Sequence, residues 1–236
     1  MLQVHSIILW ANAKNDEFKT SVDRAYALIM ALKEFGTELS PNYLTAKRKK
    51  DAKPFDYTYE TLEELIRKGV NKEGKTVFAD LGYSVSFFSS LVEQDSAGIK
   101  FHVGTSNPKF IDTFIIHLPQ TCPIYTDTTI GERLINLFKK CVDIFDPFWG
   151  CLGNGVNARR YDGYWGDTLP TSTHWINYFG ESVTKQLSVT RIEKCPIYKV
   201  EKLSKGYFLQ LKTTPIDDTN EGDIKIQANA NKYFGF

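Results

Sequence analysis

Cysteine and histidine are scarce in this chain, and an excess of either charge is missing; each shortage removes a class of chemistry. The 236 residues include four cysteines and four histidines. Cys122, Cys141, Cys151 and Cys195 lie in the second half, with no C-x-x-C pair and no dense disulfide spacing, so they read as reduced thiols of a cytosolic protein. No grouping of His, Cys, Asp or Glu has the spacing of a zinc site, an EF-hand or an H-E-x-x-H helix, so neither a metal nor another cofactor is expected. Lys plus Arg number 29 against 28 Asp plus Glu, and a net charge of +1 provides no overall field for nucleic acid or anionic lipid. Long apolar runs are absent too: nothing reaches the roughly 18 uncharged residues of a membrane span. The short run Ile7-Ile8-Leu9-Trp10 lacks the basic and hydrophobic regions of a signal peptide. The expectation is a cytoplasmic protein with no membrane partner and no direct nucleic-acid partner. There is no internal repeat and no low-complexity tract.

Apolar and aromatic residues are plentiful. With 42% hydrophobic and 14% aromatic residues, the chain can bury a core without disulfide or metal staples. Residues 4–10 read as a buried first strand, and Asn15 or Asp16 as the cap of a helix whose apolar face is Phe18, Val22, Ala25, Leu28, Ile29, Leu32 and Phe35, stopped by Gly36. Residues 37–56 are polar, with Lys47-Arg48-Lys49-Lys50, and read as a connection or a short solvated helix. A second helix starts at Thr58 and closes at Gly69, with Glu60, Glu63 and Glu64 near its start and Arg67 and Lys68 at its end. Strands are expected at 77–91, 98–104 and 110–118, suited to antiparallel pairing. Pro119 and Pro123 mark a bend before a helix over 130–144.

Residues 147–167 are rich in glycine and aromatics and read as largely loop. Residues 175–179 form a strand or short helix, 197–202 and 207–213 a hairpin around Ser204-Lys205-Gly206, and a last helix runs from about Asp218 to Gly235. The fold class is α+β: a mainly antiparallel sheet packed against several amphipathic helices. One domain spans 1–236, and its seam near 119–129 admits two pseudo-lobes.

Catalysis needs a poised acid or base, or an activated nucleophile. His5, His102 and His117 sit in apolar strand patterns, where a hydrogen-bonded structural histidine is the simpler reading. His174 precedes Trp175 in a turn and is the candidate for a hydrolase reading, paired with Asp162 or Asp167. The run Gly150-Cys151-Leu152-Gly153-Asn154-Gly155 lacks the Lys-Ser/Thr ending of a phosphate loop and reads as a turn. Lys47 to Lys50 reads as a solvated face without interleaved stacking aromatics. The acids Asp217, Asp218, Glu221 and Asp223 read as a solvated helix start.

The segment Arg159-Arg160-Tyr161-Asp162-Gly163-Tyr164-Trp165-Gly166-Asp167 concentrates the Tyr, Trp and Arg types that dominate binding hot spots. It suits either a recognition loop or a lid folded back on the core. Arg159, Arg160, Tyr161, Asp162, Tyr164, Trp165 and Asp167 are therefore candidate partner contacts. Glu60, Glu63 and Glu64, or the acids at 217–223, would add charge against a basic partner surface. Trp10, Trp149 and Trp175 read as framework.

Several short pieces occur in a telling order: Leu9-Trp10 before the long helix, Asp80-Leu81-Gly82-Tyr83-Ser84, the strand 101–104, and a strand ending His117-Leu118-Pro119. They continue with Phe145-Asp146-Pro147-Phe148-Trp149-Gly150, His174-Trp175-Ile176-Asn177-Tyr178, and Gly206-Tyr207-Phe208-Leu209-Gln210-Leu211 with Pro215. In these the chain resembles the immunity protein 52 family of bacterial polymorphic-toxin systems. Ala11 stands where relatives often place glycine, and the charge is balanced where an acidic inhibitor would suit a basic nuclease. The resemblance implies a non-enzymatic cytoplasmic protein that binds and neutralises a cognate secreted toxin, such as a restriction-endonuclease-like nuclease, in a setting such as type VI secretion.

Overall fold

A computed structural model describes residues 4–154 and 170–236. The class is α+β, with the mainly antiparallel strand pairing that the sequence predicts and six α-helices among the described residues. The chain forms two compact units: a C-terminal unit from described residues of 1–9, 123–142 and 146–236, and an N-terminal unit from 10–122 and 143–145. Strand β1 (His5–Asn12) begins in the first and ends in the second.

In the N-terminal unit the strand order is β1, β7 (Ile111–His117), β6 (Gly98–Thr105), β5 (Leu81–Phe88) and β2 (Tyr43–Leu44). Alternation along β6 turns Ile99, Phe101 and Val103 inward and leaves Lys100 exposed and His102 half-buried. The inward face gathers an aromatic row, with Phe55 and Phe87 5.0 Å apart, Phe87 and Phe101 6.2 Å, and Phe101 and Phe114 4.8 Å. Helix α1 (Phe18–Phe35) buries Val22, Ala25, Leu28, Ile29 and Leu32, the face read from the sequence. Helix α2 (Tyr59–Lys68) buries Leu62 and Ile66. The opposite face carries two cross-strand rows, Ser84 beside His102 beside Thr113 and Ser86 beside Lys100 beside Ile115, none of them fully buried.

In the C-terminal unit the order is β10 (Lys199–Leu203), β11 (Gly206–Gln210), β9 (Ile176–Gly180), β8 (Trp149–Asn154) and β1. Here both faces are covered. Tyr178 and Phe208 are register partners, and Phe208 meets Phe138 of helix α3 (Thr128–Phe145) at 6.3 Å. Phe179 and Tyr207 turn the other way, and Phe179 meets Phe234 of the last helix at 5.3 Å. Every residue of β8 and β9 is consequently buried.

Local signals placed most elements, and several expectations need correcting. Neither Asn15 nor Asp16 caps α1: Glu17 holds the cap position without a side-chain bond, and Asp16 is ion-paired with Arg24. Thr58 caps α2 by accepting the Thr61 N–H, and α3, capped by Asp127, starts two residues ahead of the expected position. The 37–56 stretch contains strand β2, paired with Phe87 and Phe88, and a 3-10 turn at Lys49–Asp51. Of the expected strand 77–91, Val77 ends a small hairpin of β3 (Lys72–Glu73) and β4 (Thr76–Val77), and the strand itself, β5, covers only Leu81–Phe88.

Residues 149–154 are a buried strand, not loop. A Cβ on Gly150 would lie 2.5 Å from Leu9 Cδ2, and one on Gly153 2.5 Å from His174 Nδ1, so these glycines mark close packing rather than turns. Helices α4 (Glu181–Leu187) and α5 (Val189–Glu193) had no expectation, and the last helix, α6 (Glu221–Phe234), starts three residues after Asp218 under an Asn220 cap. Trp10, Trp149 and Trp175 are buried, as their framework reading requires. No described helix is long and apolar enough to cross a membrane.

Candidate interaction site

Helix α6 buries polar side chains at four-residue intervals: Asp223, Gln227 and Asn231 are 7%, 1% and 3% exposed, while Ile226 on the same helix is 37% exposed. A polar stripe so placed is stable only if hydrogen-bonded, and each of the three side chains makes at least one bond, with Asn231 Nδ2 buried without a partner among the described residues. Asn231 Oδ1 accepts from Thr173 N at 2.6 Å and Thr173 Oγ1 at 2.7 Å. Gln227 Nε2 donates to Thr173 O at 2.6 Å. Asp223 pairs with Lys212 Nζ at 2.6 Å and accepts from Asp217 N at 2.9 Å. From β9, Asn177 accepts the His174 N–H and donates to the His174 carbonyl, both at 2.8 Å. Trp175 Nε1 donates to Lys212 O at 3.0 Å. The backbone of Thr173 and His174 is thus clamped by Asn231, Gln227 and Asn177, and both Asn154 and Pro170 are buried.

The cluster was not foreseen from the sequence. Its signal was present, because Asp223, Gln227 and Asn231 recur at the spacing of one helical face. Such a stripe usually marks the solvent side, and only its partners reveal that it faces inward.

His174 does not sit in an open turn. It is 5% exposed, its Nε2 is 3.2 Å from Ser172 Oγ, and burial drives its pKa down to about 4. Its Nδ1 is buried without a hydrogen-bond partner among the described residues. This is the environment of a neutral, packed imidazole rather than of a base open to substrate. His5 is similar: 3% exposed, lowered to about 4 by burial, partly offset by Asp217, with Tyr125 Oη 3.3 Å from its Nε2. His102 has both ring nitrogens engaged, Nδ1 2.9 Å from Ser84 Oγ and Nε2 3.2 Å from Thr105 Oγ1, and is lowered mainly by burial. His117 is exposed at the end of β7 and also lowered by desolvation. Burial likewise pushes the Cys141 thiol up to about 12, which keeps it protonated and unreactive.

Arg159, Arg160, Tyr161, Asp162, Tyr164, Trp165 and Asp167 lie outside the described residues. The pairing of His174 with Asp162 or Asp167 therefore has no described geometry. Glu60, Glu63 and Glu64 lie on α2 in the N-terminal unit. Two of them are not a free acidic patch: Glu63 pairs with Arg67 at 2.7 Å and Glu64 with Lys68 at 3.0 Å, one helical turn apart. Glu60 is exposed. The acids at 217–223 are not a solvated helix start either. Asp218 and Asp223 are buried, and Asp217 is held below the usual carboxylate range by the Thr219 N–H and hydroxyl.

No family model matches the chain, and no curated protein matches it in sequence. In three dimensions it is similar to a Pseudomonas aeruginosa T6SS protein, PA0821, with a TM-score of 0.68 at 10% identity, over 99% of this chain and 72% of that one. At that identity the likeness establishes a shared fold.

Proposed function

We propose that this chain is an immunity protein that binds and neutralises a cognate bacterial toxin, the function implied by its resemblance to the immunity protein 52 family. The observation that carries the reading is the clamp of Asn231, Gln227 and Asn177 on Thr173 and His174. It holds a stretch that follows, in sequence, a segment dense in Arg, Tyr and Trp, the residue types that anchor protein contacts. A fold shared with a T6SS protein over nearly the whole chain is in keeping with this function. The toxin, a nuclease for instance, would be held by an aromatic and arginine centre and silenced by occlusion or by blocking a motion it needs.

Co-expression with the toxin gene beside this chain's own gene should restore growth of a sensitive cell, and the purified pair should form a stoichiometric complex. Trp165→Ala and Tyr161→Ala should weaken that complex about 30-fold or more without lowering the melting temperature. If growth stays arrested while the chain is expressed and folded, the proposal fails.

A further inference from the structure

Single exposed apolar side chains are ordinary on a protein surface, whereas a cluster at one place marks contact with something else. In the N-terminal unit, Val77 is 57% exposed, Phe78 37% and Phe110 47%. Hydrogen bonds bring the stretches carrying them together. Asp80 O accepts from Ser106 N and Asn107 N, both at 3.0 Å, and Asp80 Oδ2 accepts from Asn107 Nδ2 at 3.0 Å. Phe110 N then donates back to Asn107 O at 3.0 Å, which closes the 107–110 turn beside the root of the β3–β4 hairpin.

The hairpin itself is preset. Glu73 pairs with Thr76 across a two-residue turn in which Gly74 has φ 59°, a value that favours glycine. Every residue from Lys72 to Asp80 is exposed, so the hairpin stands out into solvent.

Three cations lie on the same two stretches. Lys72 lies directly opposite Val77 in the ladder, Lys75 is at the hairpin tip, and Lys109 precedes Phe110. None of the three makes an ion pair among the described residues, in contrast to Arg67 and Lys68 on α2, which are neutralised by their own helix. Of the nearby carboxylates, Asp80 is bonded to Asn107, and Glu73 lies opposite Thr76 on the hairpin face away from Val77. Exposed apolar side chains on two bonded stretches that also carry unpaired lysines suit a protein contact whose partner is negatively charged.

We propose that the β3–β4 hairpin and the 106–110 turn form a docking surface for an acidic protein face that carries an apolar recess for Phe78 and Phe110. Resting on the immunity reading, this assigns that face to the toxin. It reverses the sign expected from the α2 glutamates. A nucleic acid fits less well, because the surface offers short-range apolar contact and the chain as a whole carries a net charge of only +1.

The test uses the full chain and the purified toxin encoded beside it, with association and dissociation measured at about 50 and 300 mM salt, where screening differs strongly. Phe78→Ser with Phe110→Ser should raise Kd about 30-fold or more, mainly through faster dissociation. Lys72→Glu with Lys75→Glu and Lys109→Glu should slow association roughly tenfold at low salt and remove most of its salt dependence. Lys75→Glu alone, at the solvent-exposed tip, should show the same direction more weakly and guards against a folding defect in the triple variant. No binding by the unsubstituted chain overturns the immunity reading and this inference with it. If the unsubstituted chain binds while both sets of variants bind as tightly and as fast, the docking surface is wrong and the immunity reading stands. Tighter binding of duplex DNA than of the toxin, lost in the lysine variants, would also overturn it.

Discussion

The strands of the two units obey different rules. In β9 of the C-terminal unit, neighbouring residues Tyr178 and Phe179 are both buried, because one face meets Phe208 with Phe138 and the other meets Phe234. In β6 of the N-terminal unit, Phe101 is buried while its neighbour Lys100 is exposed. A strand covered on both faces has no use for alternation, and its sequence becomes a continuous mix of apolar, small and fully bonded polar residues. A strand covered on one face keeps period two. The difference shows that a pattern can vanish from a sequence because burial is more complete, and β8 is the case in point. Its glycines suggested a loop, yet Gly150 and Gly153 are where Leu9 and His174 crowd the backbone.

Substitution of neighbouring positions should test this contrast most strongly. Tyr178→Ala and Phe179→Ala should each lower unfolding free energy by about 3–5 kcal/mol in urea denaturation, because each leaves a cavity against a helix or an adjoining strand. Phe101→Ala should cost a similar amount, whereas Lys100→Ala should stay within about 0.5 kcal/mol. Equal costs at 100 and 101, or a cheap Tyr178→Ala, would erase the distinction between the units.

The next effect is pH dependence, which is largest in the C-terminal unit. His5 and His174, both in the C-terminal unit, have native pKa values of about 4 against 6.5 for an ordinary histidine. Between those values the unfolded chain binds more protons than the native one, so stability rises with pH. It is fully present above about 6.5 and is lost as pH falls towards 4, by on the order of 3 kcal/mol per histidine. Thermal melts at pH 7 and pH 5 should therefore differ clearly. His174→Asn should flatten that difference, and a slope unchanged by the substitution would show that the buried imidazole is not its source.

Glycine substitutions should have smaller consequences. Gly150→Ala places a Cβ 2.5 Å from Leu9 Cδ2 and should cost about 1–3 kcal/mol. Gly98→Ala in β6 meets nothing nearer than 3.6 Å and should be neutral or stabilising by about 0.4–1 kcal/mol. Both are read from chemical denaturation, and an equal loss at the two sites would remove the crowding argument for β8. Smallest of all, Glu64→Gln removes an ion pair whose partners are each 72% exposed and should change stability by under about 0.5 kcal/mol.

Much of the fold was legible wherever one face of an element meets solvent. The apolar spacing of α1, the Thr58 cap and Gly69 stop of α2, the three meander strands and the 199–210 hairpin all follow from period and turn chemistry. Legibility failed where a third element supplied the reason. Two-residue β2 forms because Phe87 and Phe88 offer an edge to pair with, and α4 and α5 have too few residues to show a period.

The candidate site divides in the same way. Composition alone singled out 159–167, whereas Glu63 and Glu64, read as partner contacts, are paired with Arg67 and Lys68 one helical turn on. That the acid at 223 and the amides at 227 and 231 turn inward was hidden, because Thr173 lies more than 50 residues away in sequence and the stretch holding Lys212 and Asp217 has no periodic pattern of its own.

By itself, then, the amino-acid order determined the elements that stand half in water, the near-neutral charge, and the place where Arg, Tyr and Trp crowd together. Those properties are local, and period, caps and composition record them directly. Tertiary structure alone decided which polar side chains are buried and which apolar ones, such as Val77, Phe78 and Phe110, stay in solvent. Burial depends on what arrives from distant parts of the chain to hydrogen-bond or cover a group, and no local pattern encodes that arrival.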